Sequence, residues 1–319
     1  MITQSTFCPA WWLPGPHLQT LYPSLFRTRK IPQLRRERIE LPDGDFVDID
    51  WSPQTDGMCV LILHGLEGSI DSHYTGGILN ALASDGHTAG LMYFRGRSGE
   101  LNRLPRSYHS GDTGDLDFVM QHISRLHPDR EIAVIAYSLG GNVLLKWLGE
   151  QGSKATPVTA VTLSVPFDLN SAALRLERGM SRIYQQHLLQ QLRESVKAKS
   201  PKHTMPFPVE RLKELRTFRG FDHAITAPLH GFDGVDDYYQ RSSCKPFLKH
   251  IAVPTLMLQA RDDPFLPETA LPGEAELSSQ VTLELSRRGG HVGYISGWNP
   301  LQPVYWSEQR ILQHLSAFH

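Results

Sequence analysis

Residues 131–147 read EIAVIAYSLGGNVLLKW, and no other stretch limits the possible folds of this chain as much. The apolar, β-branched run at 132–136 has the pattern of a buried strand, and 143–147 continues as a helix that opens on Gly140-Gly141-Asn142. Ser138 stands at the join. A side chain presented on so tight a strand-to-helix turn sits in strained backbone, so small residues are needed two positions before and after it. Ala136 and Gly140 supply them, and the pentapeptide is A-x-S-x-G, one methyl group away from the G-x-S-x-G nucleophile elbow. The helix behind it directs its positive dipole end at the serine. The expectation is a nucleophilic serine at the carboxyl end of a buried strand.

The rest of the chain repeats the strand-then-helix pattern. Two strands at 35–41 and 46–51 flank Pro42-Asp43-Gly44-Asp45 and read as an antiparallel hairpin. A buried strand at 58–63 ends on His64-Gly65-Leu66-Glu67-Gly68 and is followed by helix-spaced apolar residues at 74–84. Further strands are expected at 87–93, 158–165, 254–260 and 281–285, with helices at 112–126 and 304–318. This alternation predicts an α/β fold, a mainly parallel, doubly wound sheet with functional loops at the strands' carboxyl ends. Between 170 and 250 no strand-like run occurs, while 174–199 and 210–218 have the pattern of amphipathic basic helices. The domain reading is therefore an N-terminal aromatic and proline-rich arm at 1–30, a core at 31–169 and 251–319, and a helical cap insertion at 170–250. The arm's stretch 7–26 is too interrupted by four prolines for a regular helix or strand, and is expected to lie over the domain surface.

Composition excludes several function classes. With 32 basic and 33 acidic residues there is no electrostatic footprint for nucleic acid. Cys8, Cys59 and Cys244 are odd in number and widely spaced, which fits neither a disulfide framework nor a zinc site, and a reducing cytoplasm is the expected location. His109 with Asp112, and His230 with Asp233, lack a third ligand at metal spacing. No metal or organic cofactor is expected, and no apolar run is long enough for stable membrane insertion.

A serine hydroxyl needs a base within hydrogen-bond reach and a group that holds the base in one tautomer. On a sheet of this kind the partners follow in the order Ser, Asp or Glu, His, each on a loop after a late strand. Of fifteen histidines, His291 sits in the glycine-flanked loop Gly289-Gly290-His291-Val292-Gly293 just beyond the final strand. Asp262 and Asp263 compete for the acid. Ala260, Asp263 and Pro267 fit a small-x-x-Asp pattern with proline four residues on, which favours Asp263 and leaves Asp262 as a turn carboxylate. An oxyanion would be held by the backbone N–H groups of Leu139, after the nucleophile, and Leu66, in the first strand-to-helix loop. Arg95 and Arg97 are expected to fix their loop rather than bind substrate.

Taken together, the segment Trp12 to Thr20 (WLPGPHLQT), the loop from His64 to Gly68, Arg95-Gly96, Tyr137 to Asn142, Phe221-Asp222, Asp262 to Pro264 and Gly290 to Gly293 resemble the AB hydrolase 4 family, and within it the YheT-like bacterial esterases. The resemblance runs over nearly the whole chain. It implies an α/β-hydrolase fold, a Ser-Asp-His charge relay on Ser138, Asp263 and His291, and small-molecule or lipid-like carboxylic esters as substrates. Eukaryotic members include lipid hydrolases and alcohol acyltransferases, so acyl transfer to an alcohol and phospholipase-type hydrolysis are alternatives. The H-x-x-x-x-D motif of some acyltransferases is absent. A non-catalytic binding protein on the same scaffold is the remaining alternative.

Overall fold

The computed structural model describes residues 1–318. Strands β1 (Ile2–Gln4), β2 (Arg35–Glu40), β3 (Phe46–Trp51), β4 (Cys59–Leu63), β5 (Thr88–Met92), β6 (Ile132–Tyr137), β7 (Thr159–Leu163), β8 (Thr255–Ala260) and β9 (Val281–Ser286) form one sheet in the order β1-β9-β8-β7-β6-β4-β5-β3-β2. The stretch from β5 to β1 is parallel throughout, and β3 and β2 join antiparallel at the other edge. The expected hairpin is β2–β3, and Gly44 takes φ 82° in its turn, a region that favours glycine.

The period-2 alternation of side chains assigns the two faces. Val60 and Ile62 of β4, with Ala133 and Ile135 of β6, pack against Ile78, Leu79 and Leu82 of α2 (Thr75–Ser84) and against the closing helix Trp306–Leu315. Leu61, Leu63, Val134 and Ala136 point the other way, onto α3 (Thr113–Leu126) and α4 (Leu139–Gln151). With both faces covered, the central strands read as continuous apolar runs, the signature of a buried parallel sheet. On β3 the alternation is different. Val47 and Ile49 join the core, whereas the buried Asp48 and Asp50 each take a paired contact from Arg38 and Arg36 of β2.

Three expectations are corrected. The N-terminal stretch is regular: β1 adds a parallel edge strand beside β9, and Pro16–Phe26 is a helix, α1. Pro16 occupies its first turn, where a missing N–H costs nothing, and Pro23 interrupts it within the last turn. The expected single helix at 174–199 is two, α5 (Leu169–Leu176) and α6 (Ser181–Lys199), broken where Gly179 takes φ 53°. The expected helix at 210–218 is a 3₁₀ segment, Val209–Glu214, followed by extended backbone. Thr217 then starts α7 (Phe218–Phe221) by accepting a hydrogen bond from Gly220 N–H at 3.1 Å. A π-helical turn over Asp222–Thr226, α8 (Ala227–Leu229) and α9 (Val235–Ser242) complete the segment before β8.

Candidate active site

Ser138 is the N-cap of α4, at φ 50° and ψ −118°, a left-handed conformation that costs a non-glycine residue about 1–3 kcal/mol. The surroundings hold it there. Ser138 N–H donates to Leu163 O of β7 at 2.9 Å, and Asn142 N–H closes the first helical turn on Ser138 O. Gly140 is required by close approach: a Cβ there would lie 2.5 Å from His64 O. Asn142 anchors the helix start further, donating through Nδ2 to Ser110 O and Ser242 O and accepting from Cys244 N–H.

The loop after β9 brings His291 to the serine. His291 Nε2 lies 2.9 Å from Ser138 Oγ, and Nδ1 lies 2.9 Å and 3.1 Å from the two carboxylate oxygens of Asp263, which is 3% exposed. Asp263 also accepts from Phe265 N–H at 2.8 Å and from Gln259 Nε2 at 3.1 Å. Asp262 does not reach the histidine. It accepts from Gly290 N–H at 3.0 Å, steadying the loop from behind, and burial pushes its carboxyl above the usual range.

Sequence reasoning missed what holds the histidine loop. Gly290, Val292 and Tyr294 all have φ between 52° and 62°, so the loop is a run of strained positions with two of them non-glycine. Helix α1 clamps it. Thr20 Oγ1 accepts from His291 N–H at 2.9 Å while donating to Pro16 O, and Gln19 bonds both the N–H and the C=O of Ile295. A Cβ on Gly290 would lie 2.5 Å from Pro16 O. The prolines of the segment 9–23 masked the helix that carries Gln19 and Thr20, and nothing local in the sequence points them at the histidine loop. Phe265 was also missed; its ring stacks on the His291 imidazole at 3.8 Å, and Tyr184 of α6 packs behind it at 5.1 Å.

The loop after β4 is equally fixed. His64 is fully buried, and burial pushes its imidazole down to about 3. One nitrogen faces Gly65 O at 2.7 Å, and the other accepts from Phe94 N–H at 3.2 Å, so the neutral ring braces the loop. Gly65 N–H donates to Tyr74 OH and Glu67 N–H to Tyr108 OH. Between them, Leu66 N–H has no acceptor among the described residues, and neither has Leu139 N–H at the start of α4. Glu67 accepts from Tyr108 OH, Arg97 and, across to α6, Ser195 Oγ. Arg95 is buried and forms a bidentate pair with Asp115 plus contacts to Asp43 and Asp45, so both arginines fix the loop as expected.

Ser138 and His291 line a cavity whose other wall comes from residues 169–239, including Leu169, Ala173, Leu176, Leu188 and Leu192. Tyr238 and Tyr239 line it too, while Asp236 and Asp237 lie in the first turn of α9, where carboxylates favour the helix. Ile183, also on α6, takes no part in this lining and is 61% exposed.

The family model described as the alpha/beta hydrolase fold matches residues 59–297, three quarters of the chain. The chain belongs to the α/β-hydrolase fold family. This α/β-hydrolase is 38% identical to the Escherichia coli (strain K12) protein named "Putative esterase YheT", over 99% of this chain and 94% of that one. It is 29% identical to human phospholipase ABHD3, over 95% and 77%. The esterase Pf2001 of Pyrococcus furiosus shares its fold, with a TM-score of 0.58 at 16% identity over 89% of this chain and 92% of that one. Among the described residues no helix is long and apolar enough to cross a membrane, and no group of three or more His, Cys, Asp or Glu side chains could hold a metal ion.

Proposed function

We propose that this α/β-hydrolase is a serine esterase that cleaves carboxylic esters of short to medium acyl chains through an acyl-enzyme on Ser138. The observation that carries the reading is the bridging histidine, with Nε2 2.9 Å from Ser138 Oγ and Nδ1 2.9 Å from buried Asp263. Asp263 holds the Nδ1–H tautomer, so Nε2 takes the serine proton as Oγ attacks the ester carbonyl. The Leu66 and Leu139 amides, unpaired and flanking the serine, donate to the oxyanion of the tetrahedral intermediate. Collapse expels the alkoxide, which takes the proton from Nε2. Water then repeats the sequence: Nε2 accepts its proton, hydroxide oxygen attacks the acyl carbon, and the serine leaves with the proton.

Residues 170–250 act as a cap in this account. Leu176, Leu188 and Leu192 line the cavity that contains Ser138, an apolar wall that excludes water and favours an alkyl chain. The names of the E. coli and human relatives, an esterase and a phospholipase, support an ester substrate. A chain-length series of p-nitrophenyl esters tests the proposal: kcat/KM should peak between butanoate and decanoate, and polar substitution at Leu188 or Leu192 should move the optimum to shorter chains. No turnover of any ester in the series would refute the esterase reading. An unchanged optimum in both variants would refute the cap.

A further inference from the structure

One carboxyl in the cavity has no part in the chemistry above. Asp222 starts the π-helical turn after α7, is 9% exposed, and lines the cavity beside Thr226, Tyr238 and Tyr239. Thr226 Oγ1 donates to its Oδ1 at 2.6 Å and Tyr239 OH to its Oδ2 at 2.7 Å. A carboxylate offers about four acceptor positions, so these two bonds leave it unsaturated.

No cation completes it. Among the described residues no arginine, lysine or histidine makes an ion pair with Asp222. Arg219, three residues before it, is spent on Asn170 and Asp236. An amide would hold Thr226 and Tyr239 as well as a carboxyl does, because both partners are hydroxyls that donate or accept. The carboxyl is instead kept in a desolvated place that pushes its pKa up to about 6, a cost that burial imposes and that the two hydroxyl bonds only partly offset in the absence of a cationic partner. The cap thus presents two kinds of wall: α5 and α6 contribute Leu169, Ala173, Leu176, Leu188 and Leu192, and the stretch from the π turn to α9 contributes acceptor groups. The acceptor wall reaches the nucleophile's own helix, since Tyr238 OH accepts from Ser110 N–H and Asn142 Nδ2 donates to Ser110 O.

We infer that Asp222 is a specificity-determining residue that accepts a hydrogen bond from a donor carried on the acyl chain, so that the preferred substrates bear a hydroxyl or ammonium group. The inference rests on the proposed acylation of Ser138. A cavity built to bond such a donor discriminates against the plain chain, because the alkyl substrate leaves the buried acceptor unpaired.

The test compares ethyl hexanoate with ethyl 3-hydroxyhexanoate, ethyl 6-hydroxyhexanoate and ethyl 6-aminohexanoate by acid release, in the wild type, Asp222→Asn and Asp222→Leu. Ratios of kcat/KM within one preparation are independent of the folded fraction, so a poorly folding variant remains informative. The wild type should favour at least one substituted ester over ethyl hexanoate by about tenfold or more. Preference for a hydroxyl should survive in Asp222→Asn and vanish in Asp222→Leu, whereas preference for the ammonium should vanish in both. Equal ratios in all three proteins, or a wild type that favours ethyl hexanoate over every substituted ester, would overturn the inference while leaving the esterase reading intact. Absence of any turnover together with absence of fluorophosphonate labelling at Ser138 would overturn both.

Discussion

Replacing Asp263 by Asn changes one oxygen into an NH₂ group, and the surroundings leave that group no good orientation. Both carboxylate oxygens face donors: Phe265 N–H at one, Gln259 Nε2 at the other, and His291 Nδ1 at both. If the amide nitrogen turns toward Phe265, a buried N–H loses its acceptor, at a cost of about 1–3 kcal/mol. If it turns toward His291, Nδ1 must become an acceptor, Nε2 then carries the proton, and the ring cannot take one from Ser138. That wrong-tautomer state lowers turnover on the order of 10⁴-fold, about 5 kcal/mol of transition-state stabilisation. Gln259 could relieve the second arrangement by flipping, but its Oε1 is held by Val165 N–H at 2.9 Å. Asp262→Asn keeps an oxygen for Gly290 N–H and should cost less than about tenfold. The assay is kcat/KM on p-nitrophenyl butanoate, with circular dichroism to verify folding. A larger loss in Asp262→Asn than in Asp263→Asn, or an Asp263→Asn enzyme within tenfold of wild type, would refute the assignment of the acid.

Thr20→Val leaves His291 N–H without its acceptor, so kcat should fall about tenfold or more with little change in KM, and Thr20→Ser should restore it; unchanged kcat would show that α1 does not position the base. Buried Asp222 is raised from 3.8 to about 6, so the native state holds the proton more tightly, and stability present below pH 4 is lost as pH rises through 6. Asp222→Asn should therefore gain about 3 kcal/mol at pH 8 and about half that at pH 5 in urea unfolding, and an equal gain at both would contradict the linkage. His64 and His73 run the opposite way. Burial holds both near 3, so the stability they contribute is full above pH 6.5 and lost as pH falls toward 3, and replacing His64 by Gln should flatten that acid loss; an acid limb as steep as wild type's would exclude it.

The core of the sheet was legible because burial on both faces writes itself as apolar runs, and because the elbow and the histidine loop need glycine where the backbone bends or another chain segment approaches. The mainly parallel, doubly wound character of the sheet also followed from the alternation of strands with helices, whereas the order of the strands came only with the structure. What could not be read lay in tertiary context. Ile2–Gln4 is too short to signal a strand and owes its form to pairing with β9. In α1 two prolines carry the wrong local message, one because it occupies a helix start and one because it falls near the end. The break between α5 and α6 turns on a single residue, Gly179, inside a continuous amphipathic pattern. At the site, Ser138, Asp263 and His291 were nameable from order and spacing, whereas Gln19, Thr20 and Phe265 touch the histidine loop from distant parts of the chain, and no local pattern announces such contacts.

The central claim is that Ser138 is the residue that becomes acylated. Incubating the protein with a fluorophosphonate probe, digesting it and sequencing the labelled peptide by mass spectrometry tests that claim directly, with Ser138→Ala as the control. The account predicts one adduct, on Ser138, and its absence from the variant together with loss of ester turnover. An adduct on any other serine, or turnover that survives in Ser138→Ala at the wild-type rate, would contradict it.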